Sequence, residues 1–285
     1  MRIAVCISGQ SRTWRTAVEN IKNYFKVDAD VDYFIHTWDT NTFRNSNEVV
    51  TQKKDYKIIN INNERKEIIE AFNPVSIMID EYIFHKYGRN WQSLFYSFMK
   101  SVWLKRKHEI ENDFIYDIVI KTRFDVNFFQ EGFLIPTVPF KQFYIHKLNP
   151  LTAYTVNDTF SRFPTEFNNP CFDDVFFYAD SPTMDIISNL YRWNQKIIKR
   201  GDYCKQNGLF VEDCEYFCGP GTLLYKYLKL WNIHPHCQTI IPYYIVRREA
   251  EILGLNGVND WEKVYKISQD YYVNVTIAEK NKKLI

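Results

Sequence analysis

Hydrophobic residues along the chain fall into two rhythms. Ile3–Ile7 and Ile118-Val119-Ile120 are short, unbroken, mostly β-branched runs of the kind buried in a sheet on both faces. Trp14, Val18, Ile21 and Phe25 instead recur at helical spacing, with polar residues between them. Followed along the first half, the pattern predicts strands over Ile3–Ile7, Val31–Trp38 and Val75–Ile79, with a fourth opening at Ile118. It predicts helices over Trp14–Phe25, over Glu64–Phe72 (ended by Asn73-Pro74) and over Trp91–Glu111. The third helix is expected to turn Phe95, Phe98, Val102 and Trp103 inward. Lys100, Lys105, Arg106 and Lys107 then lie on other, solvated faces. Thr40–Lys57 is polar and reads as a loop. Strand alternating with helix argues an α/β fold, a largely parallel central sheet with helices on both faces.

Beyond Phe129 the rhythm loosens into a loop-rich half punctuated by Pro136, Pro139, Pro150, Pro164 and Pro170. Strands are expected near Phe143–Lys147 and over Phe172–Tyr178. A helix starts at Ser181, read as its N-cap, with Pro182 at the first helical position. Gly219-Pro220-Gly221 should interrupt the segment from Glu212 to Trp231 and leave a helix over Thr222–Leu230. His236–Arg247 reads as a last strand, Trp261–Tyr271 as a helix and Glu279–Ile285 as a polar tail. No repeat or low-complexity linker divides the 285 residues, so a single domain is expected. Its parts are a first half over 1–130, a second over 131–250 and a C-terminal extension over 251–285.

The net charge of +2 supplies no broad positive field, so nucleic acid is not an expected partner. There is no run of about 18 apolar residues to make a transmembrane segment, and the N-terminal run is too short for a signal-peptide core. A cytoplasmic location is therefore expected. None of the six cysteines forms a Cys-x-x-Cys pair. Cys214 and Cys218, with His234 or His236, match no standard zinc-finger spacing, and reduced, mostly buried thiols are expected.

Candidate chemistry lies where strands end. Ser8-Gly9-Gln10-Ser11-Arg12 is a polar turn between a buried strand and a helix, an arrangement that presents backbone donors to a phosphate. It is neither a Gly-x-Gly-x-x-Gly fingerprint nor a phosphate loop ending in Gly-Lys-Ser/Thr. At the fourth strand the apolar run breaks into Lys121-Thr122-Arg123, followed by Asp125. If the strand continues, Arg123 and Asp125 point to the same side. They form either a salt bridge or an acid and a base facing one ligand.

Four stretches together resemble a known family. They are Ile3-Ala4-Val5-Cys6-Ile7-Ser8-Gly9-Gln10-Ser11-Arg12, Asp32-Tyr33-Phe34-Ile35-His36-Thr37-Trp38, Tyr116-Asp117-Ile118-Val119-Ile120-Lys121-Thr122-Arg123-Phe124-Asp125 and Phe172-Asp173-Asp174-Val175-Phe176-Phe177-Tyr178-Ala179. In order and spacing they resemble the nucleotide-sugar glycosyltransferases of the A-type (GT-A) fold. The nearest resemblance is to viral and bacterial transferases related to lipopolysaccharide and capsule synthesis. The resemblance spans roughly residues 1 to 250. It implies a nucleotide-sugar donor, a glycan or other hydroxyl acceptor, and transfer of a hexosyl or pentosyl group. It also implies that 1–130 is the nucleotide-binding half and 131–250 the acceptor half.

In that family the fourth strand ends in an Asp-x-Asp motif that holds Mn²⁺ or Mg²⁺ on the diphosphate. Here Arg123 stands at the first acid, so Asp125 is the one expected metal ligand, or Arg123 carries part of the metal's charge. Ser8, Gly9, Gln10, Arg12, Arg123, Asp125, Arg247 and Arg248 are the expected donor-binding residues. The arginines suit a diphosphate through their bidentate fork. The expected catalytic carboxylates are Asp173, Asp174, Glu212 and Asp213, one of them acting as base toward the acceptor hydroxyl. Trp14, Trp38 and Trp91 are candidate aromatic faces for a sugar. Two other readings remain open: a binding protein of the same fold without turnover, and a nucleotidyltransferase, whose Gly-rich basic loop the Ser8–Arg12 turn does not supply.

Overall fold

The first strand, β1 (Arg2–Ser8), is covered on both sides, which is why its sequence is an unbroken apolar run. Ile3, Val5 and Ile7 enter one core, and Ala4 and Cys6 enter another. The computed structural model describes residues 1–44, 56–61, 64–82, 90–128, 132–133, 137–146, 175–196, 220–238 and 243–245. After β1 come α1 (Trp14–Tyr24), β2 (Asp30–Trp38), β3 (Thr40–Arg44), β4 (Tyr56–Asn60), α2 (Arg65–Phe72), β5 (Ser76–Asp80) and α3 (Asn90–Asn112). They are followed by β6 (Ile118–Thr122), β7 (Val126–Phe128), β8 (Gln142–His146), β9 (Phe177–Ala179), α4 (Ser181–Ser188), α5 (Pro220–Leu230), β10 (His234–Gln238) and β11 (Tyr243–Ile245).

Seven strands form one sheet in the order β10-β8-β9-β6-β1-β2-β5. The pairings of β1 with β2 and β6, of β2 with β5 and of β8 with β10 are parallel. β9 runs antiparallel to both its neighbours, β6 and β8. The expected mostly parallel α/β sheet with helices on both faces is therefore present. One core packs α1 and α2 against the sheet through Trp14, Ala17, Ile21, Ile68 and Phe72. The other packs α3, α4 and α5 through Phe98, Val102, Met184, Ile187 and Leu224.

Several expectations are corrected. The polar stretch read as a loop over Thr40–Lys57 holds β3 and the first two residues of β4, which pair antiparallel. The apolar residues of β4, Ile58 and Ile59, lie just beyond that stretch. The expected last strand over His236–Arg247 is two strands: β10 joins the large sheet, and β11 pairs with β7. α5 starts at Pro220 rather than after it, since the ring suits a helix's first turn. The N-cap of α4 is Asp180, not Ser181: its carboxylate accepts the Thr183 N–H at 2.9 Å.

On α3, Trp103 faces solvent, while Lys105 is fully buried. The Lys105 ammonium donates to Ser181 Oγ at 2.5 Å, Asp185 Oδ1 at 2.7 Å and Glu109 Oε2 at 3.0 Å. Glu109 in turn accepts from Ser181 Oγ and the Tyr116 N–H. A lysine buried this deeply persists only because carboxylates from two helices meet it. Lys121 is likewise inside the sheet rather than at a solvated strand end. It donates to the Val175 carbonyl at 3.1 Å and lies over the Phe177 ring.

Candidate strand-end site

The chain leaves β1 toward β2 and β5 on one side, then returns to place β6 on the other side of β1. The sheet's topological switch point is thus between β1 and β6, and ligands of open α/β sheets bind outside the carboxyl ends of such strands. Ile7 and Thr122 are register partners across this pair. The next residue on β1 is Ser8, leading into Gly9-Gln10-Ser11-Arg12. The next after β6 is Arg123, leading to Asp125. The turn and the acid that the sequence singled out separately therefore leave adjacent strands side by side.

Gly9 takes φ +117°, a conformation L side chains rarely adopt. A Cβ there would meet nothing within 4 Å, so the backbone angle, not crowding, calls for glycine. Its N–H is not free as expected: it donates to Ser97 Oγ of α3 at 2.7 Å and faces the His36 carbonyl at 3.3 Å. Ser11 is buried, and its carbonyl accepts the Trp14 N–H to start α1. Arg12 is exposed, and its Nε donates to Gln10 Oε1 at 2.5 Å.

β6 ends at Thr122, so Arg123 and Asp125 sit in a turn rather than on a continuing strand. The turn lets Arg123 fold onto Asp125, with Nε donating to Oδ1 at 2.8 Å and Nη2 to Oδ2 at 2.6 Å. This fork-on-carboxylate geometry is the strong form of an ion pair. Asp125 is buried while Arg123 keeps partial access to water. β7 follows at once and is pinned by Asn20 of α1, which donates to the Phe128 carbonyl at 2.8 Å and accepts the Phe128 N–H at 2.6 Å. Tyr24 stacks on the Phe128 ring with centroids 3.8 Å apart. The turn holding Asp125 is thus gripped from both ends.

A hard divalent cation needs several oxygen ligands. Both Asp125 oxygens are taken by Arg123, and no group of three or more His, Cys, Asp or Glu among the described residues is placed to hold a metal. A cation held at Asp125 would take its further oxygens from phosphate or water. Positive charge at this strand end comes from the guanidinium.

Beside the turn, the ends of β2 and β5 meet α3 in a polar network that the sequence did not suggest. Buried His36 places Nδ1 2.8 Å from Ser97 Oγ and Nε2 3.2 Å from Asp80 Oδ2. Tyr96 donates its hydroxyl to the same Asp80 oxygen at 2.9 Å, and Lys100 Nζ is 3.7 Å away. The hydrogen bond from His36 holds the Asp80 carboxyl down to about 2, with help from Tyr96 and Lys100. Burial lowers the His36 pKa despite the carboxylate. Ser, His and Asp touch here in the order of a nucleophilic triad. The serine is fully buried, however, and its oxygen already accepts the Gly9 N–H, so no substrate carbonyl can reach it.

The other expected site residues divide into two groups. Asp173, Asp174, Glu212, Asp213, Arg247 and Arg248 lie outside the described residues, as do Cys214 and Cys218. Trp14 and Trp38 are core residues: Trp14 packs on Phe72, and Trp38 stacks on Tyr96, so neither offers a free face to a sugar. Asp80 was missed although one signal marked it, as it is the acid immediately following the Val75–Ile79 run. Ser97 carried no signal. Two open concavities, of about 380 and 360 Å³, lie at the opposite, amino-terminal edge of the sheet. Val31 and Tyr33 line the first, and Asp117 and Ile118 the second; neither includes a residue of the strand-end cluster. No helix among the described residues is long and apolar enough to cross a membrane. The chain matches no protein-family model and no curated protein sequence.

Proposed function

We propose that the chain is a glycosyltransferase that takes a sugar from a nucleotide-sugar donor and passes it to a glycan or other hydroxyl acceptor, on a fold of the A type. The observation that carries this reading is the switch point: the Ser8–Arg12 turn and the Arg123–Asp125 pair leave the adjacent ends of β1 and β6. The mostly parallel sheet with one reversed strand, β9, is compatible with that fold. In this reading the nucleotide lies along the β1 turn, with its diphosphate near Arg123. Residues 1–130 form the donor half and 131–250 the acceptor half.

In the transfer, the bond from the sugar's anomeric carbon to the nucleotide's phosphate oxygen breaks and its electron pair leaves with the nucleotide, as a diphosphate from UDP, GDP or dTDP donors and as a monophosphate from CMP donors. The acceptor oxygen bonds to that carbon, and its proton passes to a carboxylate. Arg12 and Arg123, with Arg247 and Arg248, are the cations proposed to meet the leaving charge. The base is proposed among Asp173, Asp174, Glu212 and Asp213. A second reading, binding without turnover, is favoured by one feature: the Asp125 carboxylate is already occupied by Arg123.

A thermal-shift screen of UDP-, GDP-, CMP- and dTDP-sugars, each with and without Mn²⁺ or Mg²⁺, tests the proposal. Ligand at 100 times its Kd stabilises by about 2.7 kcal/mol. One nucleotide class is expected to raise the melting temperature, and donor hydrolysis assays on that class separate enzyme from binder. A chain that responds to none of the four classes does not have this function.

A further inference from the structure

We infer that His36 and Ser97 are positioning residues that set the conformation of the nucleotide turn through the Gly9 N–H, with Asp80 anchoring the far end of the relay. The inference rests on the proposal that the β1 turn holds the nucleotide.

Counting protons fixes the direction of the relay. Asp80 is a carboxylate and can only accept, and it already takes the Tyr96 hydroxyl proton. The His36 nitrogen facing it, Nε2, therefore carries the ring proton in the neutral imidazole. Nδ1 is then an acceptor and takes the Ser97 hydroxyl proton at 2.8 Å, the shorter of that hydroxyl's two contacts, the other being the His36 carbonyl at 3.1 Å. That leaves Ser97 Oγ with lone pairs for the Gly9 N–H at 2.7 Å. Each donor points the same way, from Gly9 to Ser97 to His36 to Asp80. The groups packed around the ring complete the set: Tyr96 and Lys100 from α3, Asp80 from β5 and Trp38 from β2.

Three elements thus converge on one backbone amide of the turn. A glycine at φ +117° has an unusually wide choice of conformation, so something must select one. The alternative acceptor for its N–H is the His36 carbonyl at 3.3 Å, a longer contact. Without the Ser97 hydroxyl the turn is expected to relax toward that carbonyl and move the donors offered to a phosphate. Ser97 and His36 are buried, so neither reaches a ligand itself. Their effect runs through Gly9.

The test uses the full chain with Ser97→Ala, His36→Asn and His36→Gln. Asparagine keeps a polar atom near the position of Nδ1, and glutamine near that of Nε2. Two readouts are taken: hydrogen exchange of the Gly9 amide without ligand, and affinity for whichever UDP-, GDP-, CMP- or dTDP-sugar the wild type binds. Ser97→Ala and His36→Gln are expected to speed Gly9 exchange and weaken binding by about tenfold or more, which corresponds to about 1.4 kcal/mol. His36→Asn is expected to bind at least about threefold more tightly than His36→Gln at similar melting temperature, as about 0.7 kcal/mol separates a kept from a lost contact. Gly9 exchange unchanged in Ser97→Ala overturns the relay. So does faster exchange with undiminished affinity, because the turn's setting then has no bearing on the ligand. A wild type that binds none of the four donor classes overturns the proposed function instead. Faster Gly9 exchange in that case still supports the relay as the device that sets the turn.

Discussion

Replacing Asp125 by asparagine separates a site residue from a strand-end ion pair. The Arg123 fork makes two charge-assisted hydrogen bonds to this carboxylate, at 2.8 and 2.6 Å. The amide keeps one acceptor oxygen and turns an NH₂ toward the second donor, so one of the two bonds is lost. A hydrogen bond to a charged group contributes about 1.5–3 kcal/mol. Here the Arg123 side chain is 24% exposed, and water takes up part of the freed charge, which discounts that range to about 1–2 kcal/mol. For a chain of this size each kcal/mol moves the melting temperature by about 2–4 °C, giving an expected drop of about 2–8 °C. The functional effect is expected to be larger. If Arg123 meets the leaving diphosphate, freeing it from its anchor removes charge stabilisation made at the transition state. A loss of tenfold in turnover corresponds to about 1.4 kcal/mol, and a hundredfold loss is expected. Scanning fluorimetry and donor turnover on this one variant provide both numbers. A lower melting temperature with intact turnover reduces Asp125 to a structural acid. A variant unchanged in both refutes the ion pair as well.

Lys105→Met removes the buried cation between Glu109 and Asp185 and leaves them only the half-exposed Arg106, at 3.8 and 3.3 Å. It is expected to cost about 3–5 kcal/mol, read as a lowered urea midpoint at unchanged slope. The His36–Asp80 pair makes stability fall with acid in two stages. The His36 pKa is lowered in the fold, so below about 6.5 the unfolded chain binds a proton that the folded one resists, and stability falls from there downward. The folded Asp80 pKa is depressed to about 2, so its contribution is full above the ordinary value of 3.8 and is lost as pH falls toward 2. Urea midpoints measured from pH 7 to 5 should decline less in His36→Asn than in wild type. An identical pH slope in the two proteins would contradict the assignment of His36.

Local pattern was enough for the elements whose stability is local or whose burial is complete. β1 and β6 are legible because strands covered on both faces must be apolar throughout. α1 is legible from its one apolar face, and the end of α2 from Asn73, which takes a left-handed φ of 45° just before Pro74. Alternation of these elements was enough to imply a mostly parallel sheet. Gly9–Arg12 was also set apart as a turn, whereas Ser8, Lys121 and Thr122 belong to the strands and are buried.

Only the tertiary structure decided what those polar residues do, because their partners are far away in sequence. Lys105 looks like a solvated helix lysine until Ser181 and Asp185 of α4 arrive beside it. Ser97 looks like any helix serine until β1 and β2 bring Gly9 and His36 to it. Arg123 and Asp125 are close in sequence, yet whether they share a strand face or close a turn depended on where β6 stops. That limit is set by the neighbouring strand β1 and by Asn20 of α1, which grips β7. An apolar run states its own burial, because removing it from water is favourable with any apolar neighbour. A charge or hydroxyl is buried only where a particular partner of the right geometry waits, and the fold, not the local sequence, supplies that partner.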